Sequence, residues 1–436
     1  MKILILGSGG REHTFCWKLS QSKLNPDLFI APGNAGTAQL GKNIDISIND
    51  FEAIKEFCIG AKIEMVIVGP EEPLVNGIYD FFKNDESLHH IIITGPSKQG
   101  AQMEGSKAFA KSFMQKHGIP TAAYKEFSIE NFEQGVAYIQ NHTLPIVLKA
   151  DGLAAGKGVL ICNEHSEALA EFKLILQQSK FGNAGNKVVI EEFLDGVELS
   201  VFVLTDGKNY VLLPEAKDYK KIGEGDTGLN TGGMGAISPV PFATEHFMQK
   251  IEERIIEPTI KGLQKDGIDY RGFLFFGLIK VNEEPMVIEY NCRMGDPETE
   301  VVMLRLKNDL VELLIAMDEQ KLDAHQIETD KSNAATIVAV SGGYPEDYEK
   351  GFPIELGYLE NPQAIKHIDE EGGVMVFHAG TKQLADEIVT NGGRVLAVSA
   401  LAGTLGETIE LSKEILEQIH FEGIYWRGDI GYEFVE

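Results

Sequence analysis

The run Asp151-Gly152-Leu153-Ala154-Ala155-Gly156-Lys157-Gly158 sets one lysine among glycines and alanines, a composition suited to holding an anion. Such small residues let main-chain N–H groups approach phosphate oxygens, and Lys157 adds a positive charge at the tip. Lys149 stands on the apolar segment just before it. The spacing excludes a Walker A loop, which needs four residues between Gly and Gly-Lys, then Ser or Thr, then a helix. Here three residues separate Gly152 from Gly156, Gly158 replaces the hydroxyl residue, and a strand over 159–162 follows. The pattern fits a hairpin that covers phosphates, although a surface turn has the same composition.

Other runs could complete such a site. Glu191-Glu192-Phe193-Leu194 follows a strand, with Glu198 beyond it. Adenine recognition needs a backbone N–H and C=O edge beside an apolar wall, and ribose needs an acceptor for two hydroxyls. This run offers all of these, and an acidic loop between strands reads the same locally. Glu289 and Asn291 stand at i and i+2 near a strand end, so they share a face. A carboxylate and an amide oxygen suit Mg²⁺, a hard cation that shares its shell with substrate phosphates. Arg293 lies on that face if the strand extends to it, and could neutralise charge on a transferring phosphoryl group. The alternative there is a Gly295-Asp296-Pro297 turn closed by an Arg–Asp salt bridge. Residues 226–236 form a second glycine-rich run with Thr and Asn, which reads equally as a loop lining a polar pocket or as a disordered surface loop.

Gly7-Ser8-Gly9-Gly10-Arg11-Glu12-His13 follows a strand and opens a helix, which offers backbone donors to a phosphate. Dinucleotide binding is disfavoured. Glu12 stands where that fingerprint needs a third Gly, and the next strand ends Ile30-Ala31-Pro32 with no acidic residue for a ribose hydroxyl. A single sugar phosphate held by Gly9, Gly10 and Arg11 fits better.

Positioning these residues calls for an α/β scaffold. Apolar runs at 2–6, 28–30, 63–68 and 91–94 each end in Gly or Pro and alternate with helix-like stretches, which implies a parallel sheet with ligands at its carboxyl edge. A helix over 106–116 precedes strands at 145–150 and 159–162, a helix at 167–178 and a strand at 187–190. Further strands are expected at 199–204, 210–213, 274–281 and 286–290. A third block from about 332 carries strands at 335–340, 374–377 and 394–398 and a helix near 407–419. The fold class is therefore α/β and α+β multidomain.

The net charge of -27 argues against a nucleic-acid or anionic-membrane surface, both of which demand a basic footprint. It leaves room for a small anionic ligand held by a local cluster of cations. The four cysteines form no metal spacing and suggest a reducing compartment, and no signal peptide or membrane span is read. The expectation is a cytoplasmic protein that acts on small molecules as a monomer, with no nucleic-acid or membrane partner.

On these runs the chain resembles the phosphoribosylamine–glycine ligase (glycinamide ribonucleotide synthetase) family from end to end. The resemblance adds Ala31-Pro32-Gly33-Asn34-Ala35-Gly36-Thr37, Val68-Gly69-Pro70-Glu71, Glu104-Gly105-Ser106-Lys107 and Thr390-Asn391-Gly392-Gly393-Arg394-Val395. It implies an N-terminal substrate domain over 1–103, a central ATP-grasp domain over 104–330 with a lid at about 121–193, and a C-terminal domain over 331–436. It also implies ligation of glycine to 5-phosphoribosylamine by way of glycyl phosphate, with ATP and Mg²⁺ or Mn²⁺. Another carboxylate–amine ligase or a carboxylase of the same superfamily is the rival reading. By this resemblance Lys107, Lys149, Gly156, Lys157, Gly158, Glu191, Glu192, Phe193, Leu194 and Glu198 hold ATP, and Glu289 and Asn291 hold the metal. Arg293 and Asp218 serve the chemistry. Gly9, Gly10, Arg11, Glu71, Lys220, Gly233, Met234, Asp296 and Pro297 meet the other substrates. Two departures stand out. Lys221 replaces an Arg that relatives carry, and the strand at 275–279 lacks the carboxylate that many ATP-grasp enzymes place beside the Glu-x-Asn pair.

If the hairpin covers phosphates, Lys157→Ala raises the KM for ATP roughly tenfold or more, the scale of a lost charge-assisted hydrogen bond, and leaves the melting temperature unchanged. ATP titrations on the variant check this; an unaltered KM removes the loop from the site.

Overall fold

The structure is a computed structural model that describes residues 1–153, 158–178, 186–357 and 372–435. The chain opens with β1 (Lys2–Gly7), helix α1 (Gly10–Ser20), β2 (Asp27–Pro32), β3 (Lys42–Asn43), β4 (Met65–Val68) and β5 (Ile92–Pro96). These five strands pair in parallel in the order β5-β4-β1-β2-β3. Residues 3–6 and 65–67 have no exposure, as expected for strands covered by helices on both faces.

The join between β1 and α1 explains why Glu12 stands in the glycine run. Gly9 caps α1, and the Glu12 carboxylate turns back to accept its N–H at 2.6 Å. That carboxylate fills the crevice between the ends of β1 and β4, where a dinucleotide's pyrophosphate would otherwise lie. A Cβ on Gly69 would sit 1.9 Å from Glu12 Oε1, and one on Gly7 would sit 2.4 Å from Glu12 Cδ. The two glycines make room for a side chain of the protein itself.

A smaller unit follows, built from β6 (Tyr124–Ser128), β7 (Ile146–Ala150), β8 (Val159–Cys162) and β9 (Lys187–Glu192) in the order β6-β9-β7-β8. Its helices Phe132–Gln140 and His165–Gln178 close a separate core around Phe127, Ile139, Leu148, Phe172 and Ile190. The glycine run emerges between antiparallel β7 and β8, and Ala150 N–H donates to the Gly158 carbonyl at 2.9 Å. The hairpin expected from spacing is therefore formed at its base. Gly156 and Lys157 lie outside the described residues.

The chain then returns to the first sheet. β10 (Val197–Thr205) and β11 (Tyr210–Leu212) pair antiparallel with each other, and β10 pairs with β16 (Tyr270–Val281), which carries β17 (Glu284–Asn291) at its end. β16 also meets β5 through Tyr270–Pro96 and Arg271–Gly95 register pairs, so parallel and antiparallel halves form one nine-stranded sheet. Between them lie β12 (Lys217–Asp218), the hairpin β13 (Lys221–Gly223) and β14 (Thr227–Asn230), and β15 (Gly235–Ser238).

The run 226–236, read above as a loop, thus supplies one arm of a strand hairpin and the start of a buried strand. β15 pairs with β18 (Asn333–Val340), drawing this segment into a third sheet of order β12-β15-β18-β23-β20. Here β19 is Glu355–Leu356, β20 is Gly373–His378, β21 and β22 form the hairpin Thr381–Leu384 and Glu387–Thr390, and β23 is Arg394–Ala402. Its strand character comes from partners a hundred residues away, which local composition does not reveal. Among the described residues, no helix is long and apolar enough to cross a membrane.

Gly69→Ala forces a methyl group into Glu12 and the Leu6 carbonyl, so it is expected to cost about 1–3 kcal/mol of stability. Chemical denaturation reads the loss, and partial recovery in the Gly69→Ala/Glu12→Ala double variant identifies the clash.

Candidate active site

The site begins at an irregularity in β17. Register pairs run Leu278–Val287 and then Gly277–Glu289, so Ile288 is the extra residue of a β-bulge. The bulge frees the Ile288 carbonyl, which accepts from Lys149 Nζ at 3.2 Å. Glu289 faces Gly277 across the strand pair and Asn291 faces Phe275, so the position opposite Glu289 holds no second carboxylate.

Cations converge on this edge from four elements. Lys149 arrives on β7, and Lys107 and Lys111 share one face of the Lys107–His117 helix at i and i+4. Arg293 follows β17, and Lys220 follows β12. Lys107 Nζ donates to the Gly152 carbonyl at 2.9 Å. Asp151 Oδ1 accepts from Ser106 Oγ at 3.0 Å and from Ala108 N–H at 3.2 Å, which fastens the hairpin's base to the helix N-terminus. Glu191 Oε2 lies 3.0 Å from both Lys111 Nζ and Lys149 Nζ, while its Oε1 is buried without a partner. Of these, Lys107, Lys111, Lys149, Gly152, Glu191 and Arg293 line a cavity of about 180 Å³ whose wall also includes Glu71, Met103, Glu104 and Asn291.

Burial and charge set the protonation states here. Burial opposes ionisation of Glu289, but Lys220, Lys149, Lys107 and Arg293 outweigh it and hold its carboxyl below the usual range. Glu71 follows the same pattern, its burial outweighed by Arg293 and Arg11. Burial pulls Lys111 down to about 8 against the pull of Glu191. Glu104 is raised by burial in spite of Arg293 beside it. Its carboxylate holds Arg293 Nη2 at 2.9 Å and accepts Cys292 N–H at 2.8 Å, while Glu71 lies 3.6 Å from the same guanidinium.

The structure brings Lys107, Lys149, Gly158, Glu191, Glu71, Glu289, Asn291 and Arg293 to one cavity. Glu192, Phe193, Leu194 and Glu198 do not line it. The Glu192 carboxylate accepts Ala123 N–H at 2.8 Å, Phe193 is exposed, and Glu198 pairs with Lys220 at 2.6 Å. Asp218, Lys220, Gly233, Asp296 and Pro297 gather beside the cavity. A Cβ on Gly233 would lie 2.3 Å from Pro297 Cδ and 2.8 Å from Asp218 Oδ1. The Met234 side chain is fully buried in the core, so any ligand contact there comes from its backbone.

Of the donors expected to take a sugar phosphate, those of Gly9 and Arg11 are already engaged. Gly9 N–H donates to Glu12, Arg11 N–H to Asp296 at 3.4 Å, and the Arg11 guanidinium to Glu12 and the Met294 carbonyl. Phosphate contact by Gly9 and Arg11 would require those partners to exchange.

Sequence reasoning gave no role to Glu104, Lys111 or Arg394. Lys111 was within reach through its i+4 spacing from Lys107. Glu104 acts on residues 188 and 189 positions away, and Arg394 binds the Gly232 and Asp296 carbonyls at 2.6 Å each from the third sheet. No local pattern signals such contacts.

A hard divalent cation fits the donor set. Glu289 is held ionised, Asn291 shares its face, and the surrounding cations suit a polyphosphate that would supply further oxygen ligands. No cluster of three acidic, His or Cys residues able to hold a metal alone occurs among the described residues.

The sheet with its bulged strand, the separately cored hairpin unit and the cation-lined cavity between them define a chain of the ATP-grasp class. Sequence models of phosphoribosylglycinamide synthetase match in three parts: the N domain at 1–104, the ATP-grasp (A) domain at 105–299 and the C domain at 334–433. The chain belongs to this phosphoribosylglycinamide synthetase family. It is 46% identical to the phosphoribosylamine–glycine ligase of Escherichia coli K12, over all of this chain and 99% of that protein. The Chlorobaculum tepidum protein of the same name is 45% identical over 99% of each. The crystal structure of the Thermotoga maritima phosphoribosylamine–glycine ligase is similar with a TM-score of 0.83 and 35% identity, over 98% of this chain and 100% of that one.

Glu289→Gln keeps the shape and removes the charge that the surrounding cations face. It is expected to lower kcat roughly a hundredfold or more and to move the Mg²⁺ requirement to higher concentration. A metal titration of the variant that overlays the native curve excludes Glu289 as a ligand.

Proposed function

We propose that this chain joins glycine to 5-phosphoribosylamine at the expense of ATP, giving glycinamide ribonucleotide, ADP and phosphate in de novo purine biosynthesis. The observation that carries this reading is that Lys107, Lys149, Glu289, Asn291 and Arg293 share one cavity in a chain that matches phosphoribosylamine–glycine ligases over its whole length. The chain's four cysteines are few for its length and all buried, which supports a reducing, cytoplasmic setting.

The chemistry follows from glycine's carboxylate, which is a poor acyl donor because its leaving group would be oxide. A carboxylate oxygen attacks the γ-phosphorus of ATP and ADP leaves, forming glycyl phosphate. The amine nitrogen of phosphoribosylamine then attacks the acyl carbon, the C–O bond to phosphate breaks, and the nitrogen loses a proton. Lys107, Lys149 and the hairpin's Lys157, with Gly156 and Gly158, position the phosphates, so catalysis rests on orientation and charge. Glu191 accepts from the adenine amine through its unpartnered Oε1, with Glu192, Phe193, Leu194 and Glu198 at the outer nucleotide side. Arg293, clamped by Glu104 and Glu71, faces the glycine carboxylate. Mg²⁺ or Mn²⁺ on Glu289 and Asn291 would supply charge to the triphosphate.

Asp218 and Lys220 orient the amine. Gly9, Gly10, Arg11, Gly233, Met234, Asp296 and Pro297 border the sugar end. Closure of the hairpin keeps water from the acyl phosphate.

An omission assay tests the reading. ADP release and glycinamide ribonucleotide, identified by mass, are expected only when ATP, glycine and phosphoribosylamine are all present. Product formed without glycine, or dependent on bicarbonate, overturns it.

A further inference from the structure

Glu300 is the most unusual acidic residue in the described chain. It lies in the first turn of the Glu298–Arg305 helix, has no solvent exposure, and neither of its carboxyl oxygens has a hydrogen-bond partner. Burying a polar group without a partner costs about 1–3 kcal/mol, so two unpartnered oxygens on one side chain call for an explanation.

Its surroundings supply one. Glu300 Oε1 points at the N-terminal turn of α1, where a Cβ on Gly10 would lie only 2.3 Å from it. Only glycine at position 10 lets the carboxyl reach the helix. The groups acting on it most strongly by charge are Asp296 and Arg394, with Glu298 beyond. Asp296 and Arg394 pair at 3.0 Å and keep 15% and 21% side-chain exposure, so the junction opens toward solvent on their side. Burial, reinforced by Asp296, pushes the Glu300 carboxyl well above its usual range, Arg394 opposing. A neutral carboxyl offers one O–H donor and one C=O acceptor. A sugar hydroxyl presents the complementary pair, whereas a phosphate offers acceptors alone and would face the carboxylates of Glu12 and Asp296 at the same helix end.

We propose that Glu300 is a substrate-contacting specificity residue that binds a hydroxyl of the ribose ring at the N-terminal turn of α1. The inference rests on the reading of the chain as a ligase of a ribosylamine phosphate. It places one ring hydroxyl against the Glu300 carboxyl on the side where Asp296 and Arg394 reach solvent, and leaves the phosphate outside the carboxylate-lined junction.

The test uses the full chain and stable sugar phosphates as probes. Calorimetric titration with ribose 5-phosphate, 2-deoxyribose 5-phosphate and 3-deoxyribose 5-phosphate is run on the native protein, Glu300→Gln and Glu300→Leu. Native protein is expected to bind ribose 5-phosphate roughly tenfold tighter than one deoxy analogue, the scale of one buried neutral hydrogen bond. Glu300→Gln, also a neutral donor and acceptor, keeps that discrimination within about twofold. Glu300→Leu, similar in size but apolar, abolishes it while ATP binding stays unchanged. Full discrimination in Glu300→Leu, or its loss in a folded Glu300→Gln, overturns the proposal alone. Native protein that binds none of the three sugars overturns both the proposal and the functional reading beneath it.

Discussion

The structure depends on one electrostatic constraint: a carboxylate, Glu289, that must stay ionised inside a wall of cations within a chain of net charge -27. Two unit charges at 4 Å interact by about 4 kcal/mol at an effective dielectric of 20, so the placement of each lysine matters. Lys107, Lys149, Lys220 and Arg293 come from a helix, a strand of the hairpin unit, the segment after β12 and the end of β17. Only a fold that brings all of these together can present that density of positive charge to a polyphosphate. The acidic exterior then keeps nonspecific polyanions away while the cavity accepts a specific one.

Several features serve that constraint. The bulge at Ile288 aims its carbonyl at Lys149 and sets Glu289 and Asn291 on one face. Glu104 fixes Arg293 through its side chain and Cys292 through its backbone, so the end of β17 cannot swing. Asp151 and Ser106 tie the root of the hairpin to the helix that carries Lys107 and Lys111. The hairpin unit packs around its own core, separate from the cores of the main sheet. From the third sheet, Arg394 gathers the Gly232 and Asp296 carbonyls, so the C-terminal block completes the site.

Much of this was legible in the sequence because it is local. The apolar runs of β1, β4, β7 and β8 end in glycine or before a turn, and the three-residue gap between Gly152 and Gly156 distinguishes a hairpin from a Walker A loop. Glu289 and Asn291 share a face by strand periodicity alone, and Arg293 follows just past the strand's end. What escaped depends on distant partners. The strand over Gly235–Ser238 is defined by β18, about a hundred residues later. Glu298 and Glu300 drew no reading from the sequence, yet both are buried where the helix meets β10 and α1. Arg11 reads as a free phosphate ligand, yet Glu12 and Met294 already hold it. Phe193 reads as an adenine wall, yet it is exposed.

The central claim is that the cation cluster activates a carboxylate by phosphorylation. Turnover with glycine labelled by ¹⁸O in both carboxyl oxygens tests it most directly. The account predicts that one labelled oxygen appears in the released inorganic phosphate for each ligated product. Phosphate free of label, with the expelled heavy oxygen recovered in water, would contradict it.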